Sequence, residues 1–353
     1  MCGMTQEVVM KQQEAEKQKL SGTVETHRKK RHNSFATMMS NNSTNSCSTE
    51  NVDKMMQYLE LIIYIPIFCI GIVLNLTALM AFCLCLRKWT ETTIFMTSLA
   101  LMDLLLLLPL PFKMHAANHK WSGRSQMFCS FLENLYFFST YGSIYMIMCI
   151  AIDRWLAICY PFKAKQLRSP RAAFLASLGI WILTSSAVFP VIYNLRENYT
   201  EDFHCFHGFS EKGWSPVVII CLQVFGFLGP ALVVVSCSVH TICVLQESGQ
   251  RSPKSQACIK IIYSSLGAFL VPFTPSHLAI FLQFLVHQKV IKDCNTEQSM
   301  SLFIQTAMCL SNITCCLDAF CYYFVAHEVR STKNSFRMRT LSQRRGNSST
   351  SEV

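Results

Sequence analysis

The sequence predicts an all-α membrane protein, a bundle of seven transmembrane helices. Of its 353 residues, 51% are hydrophobic and only 15% are charged, a balance that suits lipid better than water. The apolar residues form long runs, and each run meets or exceeds the roughly 20 residues that a helix needs to cross a bilayer. Because backbone groups in hydrocarbon must be satisfied internally and no alternating barrel pattern is seen, helices are expected.

Seven segments carry this pattern, and together they predict one membrane domain over residues 57–327. A polar tail is expected at residues 1–56. Residues 328–353 are expected to form a second tail that begins with a short amphipathic helix on the anionic inner leaflet. The predicted spans cover residues 57–86, 92–114, 128–160, 171–193, 214–245, 257–286 and 299–325.

The orientation follows from the positions of Lys and Arg. Loops on one side, including those around Lys163, Arg168 and Arg171, hold most of the basic residues, and such loops tend to stay in the cytosol. We therefore expect a multi-pass protein of the plasma membrane with its amino terminus outside and its carboxyl terminus inside. The formal net charge of +10 then reflects topology, whereas binding of nucleic acid would need a basic face on a soluble domain.

The amino-terminal tail contains a basic run at residues 28–31 that would resist export. One resolution is that translation begins at Met38 or Met39, which would leave residues 1–38 out of the mature chain. Acceptor sequences for N-linked glycans then remain on the outer side. They are Asn41, Asn42 and Asn198.

Most of the 18 cysteines lie in apolar spans, where cysteine behaves as a small buried hydrophobe. Four map to the outer, oxidising side, where disulfides persist. Four cysteines allow three pairings, and the residues alone do not choose among them. These four are Cys47, Cys129, Cys205 and Cys294.

Ordered motifs identify a family. The third span opens with Cys129 and closes with Asp153, Arg154 and Trp155, which resembles the rhodopsin-like G-protein-coupled receptors. Further marks recur in the right order across residues 57–330, one on each of the other six spans. They are Gly71 and Asn75, Leu99 to Asp103, Trp181, Pro230, Phe269 with Phe273 and Pro275, and Asp318 with Tyr322. With the third span they make seven ordered matches, which is a specific signal.

A closer similarity is to the lysophosphatidylinositol-receptor branch, carried by residues 110–114, 133–136, 224–228, 281–285 and 315–324. It implies a receptor for lysophosphatidylinositol, not an enzyme, coupled to heterotrimeric G proteins of the twelve/thirteen class and to Rho. Another lysophospholipid or a small organic anion is the alternative ligand. The family pattern also implies two disulfides, Cys129 with Cys205 and Cys47 with Cys294.

Signalling is expected to depend on a hinge and a buried charge. Pro272 and Pro275 each remove a helical hydrogen bond, which predicts a kink in the sixth span; a kink that never moves is the alternative. Arg154 needs a partner in hydrocarbon, and the adjacent Asp153 is the nearest candidate. Residues 250–260, at the inner end of the sixth span, contain no acidic residue that could hold Arg154. We therefore expect some signalling in the absence of ligand. The activation set is Asp153, Arg154, Phe269, Phe273, Pro275, Asp318 and Tyr322.

Asp103 is a lone carboxyl group at mid-membrane depth. The resemblance implies a sodium ion held by Asp103, Ser143 and Asp318, and oxygen ligands suit such a hard cation. A protonated Asp103 bonded to Ser143 is the alternative.

The predicted ligand site combines cations with aromatic side chains. Packing does not require an ammonium at Lys113, so a pair with Glu133 or with a ligand anion is expected there. Such a site favours a ligand with an anionic head group toward the outer end and an acyl chain deeper in the bundle. Taken one at a time, however, aromatic rings in such positions more often serve only to pack helices together. The set is Lys113, Glu133, Tyr136, Phe137, Tyr141, His277, Phe281, Phe284 and Met308.

Other functions fit less well. In amine receptors an Asp occupies the position of Tyr136, so the resemblance argues against an amine ligand. Nucleotide receptors carry a cationic residue one helical turn after a His in the sixth span, whereas here Ile280 follows His277. A transporter is the rival from another class, but no repeated halves are seen and an odd number of spans fits poorly. An intramembrane enzyme would need a paired nucleophile or ligating histidines, whereas His240 and His277 stand alone.

The carboxyl tail suggests two further partners. Its serines and threonines could become a phosphate cluster for arrestin; they are Ser342, Ser348, Ser349, Thr350 and Ser351. The final residues, 351–353, fit a strand added to a PDZ domain. A solvated tail without partners is the plain alternative.

Overall fold

The computed structural model confirms the helical bundle. It describes residues 50–86, 89–195, 203, 205–206, 211–247, 253–290, 294–319 and 322. Within these ranges, seven helical stretches are long and apolar enough to cross a membrane. The spans, first to seventh, are Met55–Leu84, Glu91–Asn118, Gly123–Cys159, Pro170–Val191, Pro216–Glu247, Cys258–His287 and Gln298–Ala319.

Most helices extend beyond the apolar run at one end or both, because backbone hydrogen bonding continues into the polar residues there, whereas the third ends at Cys159 and the fifth begins only at Pro216. The first helix begins at Glu50, ahead of the predicted start at residue 57. The α-helices are Glu50–Met80, Glu91–Leu107, Leu110–Asn118, Gln126–Cys159, Pro161–Leu167, Pro170–Leu195, Pro216–Gln223, Gly229–Glu247, Pro253–His287 and Cys294–Ser311. Among the residues described, π-helical turns occur at Ala81–Leu86 and Val224–Leu228.

Local sequence explains where several helices begin. Proline opens four of them, at Pro161, Pro170, Pro216 and Pro253, since the first turn needs no N–H from that residue. The second span begins instead with Thr90, whose side chain accepts the N–H of Thr93 at 3.3 Å. That cap satisfies an amide that would otherwise lack a partner.

The third span forms the centre of the bundle. Its inward side chains pack against the second, fourth, fifth and sixth spans in one apolar cluster. In lipid such association depends on close van der Waals packing, which small residues permit. Gly142 shows this, because a Cβ there would lie 2.7 Å from the side chain of Met102.

Several predictions fall outside the described residues. They concern the glycan acceptors Asn41, Asn42 and Asn198, the partner Cys47, the side chain of Cys294, and both tails. These remain predictions.

Candidate ligand-binding and signalling sites

The loop before the fifth span lies on the side that the sequence predicts to face outward, here called outer, and the opposite side is called inner. This outer loop is attached to the third span by the disulfide between Cys129 and Cys205. This confirms the pairing that the resemblance implied. A second connection lies beside it, because Trp121 and Phe203 exchange two backbone hydrogen bonds, of 2.7 and 2.9 Å. The two connections hold the residues next to Cys205 against the outer end of the third span.

Lys113 lies among aromatic rings at the outer end of the second span. Its ammonium is 4.8 Å from the centre of the Tyr136 ring and 5.3 Å from the centre of the Tyr64 ring. Both rings are buried. Each such cation–π contact stabilises by about 0.5–2 kcal/mol, more as water is excluded.

Glu133 serves the outer loop, which corrects the prediction that it pairs with Lys113. Its Oε1 accepts the backbone N–H of Phe206 at 3.0 Å. Phe206 has a positive φ of 67°, an uncommon conformation for a side-chain-bearing residue. The disulfide brings this turn onto the third span, and the carboxylate one helical turn below Cys129 is the acceptor within its reach.

The predicted ligand residues divide into two groups. Tyr136 and Phe137 contact each other edge to face, beside Lys113. His277, Phe281 and Phe284 instead line a cavity of about 630 Å³ between the fifth and sixth spans. Tyr141 contacts His277 with ring centres 6.1 Å apart. The contacts described for Met308 involve only its backbone carbonyl, which accepts from Ser311 and Asn312.

The cavity between the fifth and sixth spans contains a polar pair that the sequence analysis missed. Gln223 donates from Nε2 to the backbone oxygen of His277 at 2.8 Å, and its Oε1 lies 3.2 Å from His277 Nδ1. The imidazole also stacks on Phe227, with centres 4.6 Å apart. A single glutamine in an apolar span gives no pattern in sequence, so only its contacts reveal it.

Asp103 lies at the centre of a buried polar cluster. It accepts hydrogen bonds from the hydroxyls of Tyr322 at 3.0 Å and Ser143 at 3.4 Å. The proximity of Asp103 and Ser143 agrees with the sequence prediction, and their oxygens are of the type that binds sodium. The described hydrogen bond of Asp318 is with Thr314, at 3.5 Å.

At the inner end, Asp153 is bound by Arg168 rather than by Arg154. Arg168 donates from Nε at 2.7 Å and from its terminal nitrogen at 3.1 Å, and Thr92 adds a bond of 2.8 Å. The prediction that Asp153 holds its neighbour was wrong, because consecutive residues on a helix do not face each other. Arg168 also approaches Glu91 at 3.5 Å, so it joins the inner loop to two spans.

Arg154 points toward the fifth and sixth spans. It lines a narrow cavity of about 20 Å³ whose other walls include Val234, Ser238 and Ile261. The next residue, Trp155, donates its indole N–H to Nδ1 of His240 at 2.7 Å. The inner ends of the third and fifth spans are therefore connected directly in this packing.

The two phenylalanines beside the sixth-span prolines, Phe269 and Phe273, are fully buried. Phe269 stacks on Phe227 with centres 6.0 Å apart, and Phe273 contacts Phe269 at 5.5 Å. The helix runs unbroken through Pro272 and Pro275. Ser276 donates its hydroxyl to the carbonyl of Pro272 at 3.0 Å, which is how hydroxyl side chains help to satisfy a membrane helix that contains proline.

Comparison with known proteins decides the family. A sequence model of the seven-transmembrane receptors of the rhodopsin family matches residues 74–322. The chain belongs to this family. It is therefore a multi-pass membrane receptor, and proteins of this family are receptors rather than enzymes.

Curated relatives of the receptor agree with this assignment. G-protein coupled receptor 55 of Mus musculus is 41% identical over 319 residues, which cover 86% of this chain and 96% of that protein. The human protein of the same name is also 41% identical, over 300 residues. Lysophosphatidic acid receptor 4 of Homo sapiens is 30% identical over 290 residues, or 80% of this chain and 78% of that protein.

The receptor also uses residues that sequence reasoning did not select. Tyr64 and Gln223 are ordinary residue types for a membrane span, and Arg168 was counted only as a topology signal. Their roles come from contacts across helices. A pattern within one helix could not have revealed them.

Proposed function

We propose that the receptor recognises an anionic lysophospholipid, with lysophosphatidylinositol as the first candidate, and activates heterotrimeric G proteins. The observation that carries this proposal is the ammonium of Lys113, held between the Tyr64 and Tyr136 rings. A cation placed there is available to an anionic head group. The similarity to lysophosphatidic acid receptors supports the same class of ligand.

It is energetically reasonable for Lys113 to exchange its contacts with the Tyr64 and Tyr136 rings for a contact with an anion. A hydrogen bond between an ammonium and a phosphate is charge-assisted and roughly twice as strong as a neutral one. Exposed Lys120 and Arg124 lie on the outer loop nearby in sequence and would raise the local concentration of anions. His115 and His119, stacked with centres 4.6 Å apart, lie on the same segment.

The inner surface offers a docking feature for a G protein. Phe162 lies on the short helix Pro161–Leu167 with 89% of its surface exposed, and Leu167 is 63% exposed. We propose that these two exposed apolar side chains contact the G protein. Coupling to the twelve/thirteen class and to Rho is proposed from the resemblance described above.

The remaining partners belong to the same proposal. Arrestin would bind a phosphorylated carboxyl tail, and a PDZ domain would bind residues 351–353. A sodium ion would lie at Asp103 and Ser143, whose oxygens lie close together, with Asp318 as the third ligand. We place the receptor in the plasma membrane with its amino terminus outside.

A panel of lysophospholipids applied to cells that express the receptor tests the ligand. Lysophosphatidylinositol should activate, and Lys113→Ala should lower its potency at least about tenfold, the equivalent of one charge-assisted contact. Lys120→Ala is the matched control and should change potency much less. If no lysophospholipid activates wild-type receptor that is present at the cell surface, the proposal is refuted. If only a small organic anion activates it, that class of ligand takes the place of the lysophospholipids.

A further inference from the structure

We infer that a single acyl chain enters the receptor sideways from the bilayer, through the groove between the fifth and sixth spans. The inference rests on the proposed function, because the chain belongs to the lysophospholipid whose head group binds near Lys113. The groove is the cavity of about 630 Å³ described above. Its size lies within the range of about 300–1,000 Å³ typical of small-molecule sites.

The groove faces lipid. Ile220 on the fifth span is 61% exposed, and Leu278 and Phe281 on the sixth span are 49% and 44% exposed. All three line the groove, and all lie within membrane-spanning stretches. A side of the bundle at this depth meets hydrocarbon, so an opening here admits an acyl chain and excludes a water-soluble ligand.

A π-helical turn shapes the wall on the fifth span. It covers Val224–Leu228, and such turns are frequent at functional sites. The hydroxyl of Tyr145 donates to the carbonyl of Phe225 at 2.8 Å. Gly226 faces the third span so closely that a Cβ would lie 2.8 Å from the Tyr141 ring. The irregular turn is therefore held from inside while its other face lines the groove.

The outer end of the groove is bridged. Trp214 stacks on His287 with centres 5.1 Å apart, and its carbonyl accepts the side-chain amide of Gln288 at 3.3 Å. These contacts join the segment before the fifth span to the end of the sixth. The lipid-facing side of the groove, by contrast, presents the exposed side chains of Ile220, Leu278 and Phe281.

The floor of the groove connects to the hinge. Phe227 lines the groove, stacks under His277, and also stacks on Phe269, which contacts Phe273. A chain that displaces Phe227 therefore acts on rings beside Pro272. Occupancy of the groove would in this way favour one packing of the sixth span over another.

Photolabelling tests the inference directly. The probe is lysophosphatidylinositol with a diazirine near the end of its acyl chain, bound to the full receptor in phosphatidylcholine nanodiscs. We expect label on peptides from residues 216–228 and 274–284, lost in excess unlabelled lysophosphatidylinositol. Label spread evenly over the other spans would overturn the inference.

Two substitutions should block the groove. Ile220→Trp or Leu278→Trp should reduce this label and lower potency about tenfold by removing contacts along the chain. Ile182→Trp, at a fourth-span position that is 60% exposed, is the matched control and should change neither. Full potency in both groove variants, each with normal surface expression, would overturn the inference and leave the proposed function intact. A probe that neither binds nor activates wild type would overturn both.

Discussion

At the scale of single residues, the buried charge of Asp153 is bound by a partner on another element of the receptor. Asp153 has only 4% of its side chain exposed and is bound in two places by Arg168, which is 26% exposed. The pair links the inner loop to the third span, and the approach of Arg168 to Glu91 extends the link to the second. The loop that presents Phe162 is thereby held in one position.

Removing Arg168 should destabilise the receptor, because the Asp153 carboxylate would remain buried without its cation. Breaking a fully buried ion pair lowers the free energy of unfolding by several kcal/mol, whereas breaking an exposed pair lowers it by less than about 1 kcal/mol. Since this pair is half-buried, Arg168→Gln should lower the free energy of unfolding by about 2 kcal/mol. Thermal unfolding in detergent measures the change. Arg171→Gln, at an exposed position nearby, is the control, and equal melting temperatures for the two variants would contradict the role of the pair.

The same residues show what sequence could and could not predict. The cost of a charge in hydrocarbon selects Asp153, Arg154 and Lys113 as functional candidates. The contacts described for Asp153 and Lys113 were not predicted, since a partner depends on how each helix is rotated and where a loop returns. The Arg168 and Phe206 contacts both come from loops, whose conformation no periodic pattern specifies.

At the scale of elements, the fifth and sixth spans differ from regular helices. The fifth contains the π-helical turn at Val224–Leu228, and the sixth contains two prolines. The prolines are visible in sequence and predict a hinge, which remains a prediction. The π-helical turn was not predicted, because its segment, Val-Phe-Gly-Phe-Leu, is as apolar as a regular helix would be.

Gly226 provides a test of how closely the π-helical turn meets the third span. Gly226→Ala would place a Cβ 2.8 Å from the Tyr141 ring, so overpacking should cost about 1–3 kcal/mol. Gly179→Ala is the control, because nothing lies within 4 Å of a Cβ there and alanine favours a helix by about 0.5–1 kcal/mol. A Gly226 variant that melts as high as the Gly179 variant would contradict the described contact.

At the scale of the whole molecule, ligand and G protein act on opposite ends of one bundle. The sequence established seven spans by length and hydropathy, and the structure and the family confirm them. A buried series of rings from Phe227 to Phe273 lies between the two ends, beside Pro272 and Pro275. We expect signalling to require a movement of the inner half of the sixth span.

The most direct measurement is the distance between the short helix Pro161–Leu167, which follows the third span, and the inner end of the sixth span. Genetically encoded spin labels at Lys165 and Lys260, both exposed, leave the 18 cysteines untouched. Pulsed electron resonance should show a longer distance when lysophosphatidylinositol is added to wild type, and no change in Lys113→Ala. An unchanged distance in wild type, under conditions where the same lipid accelerates nucleotide exchange on a G protein, would contradict the account.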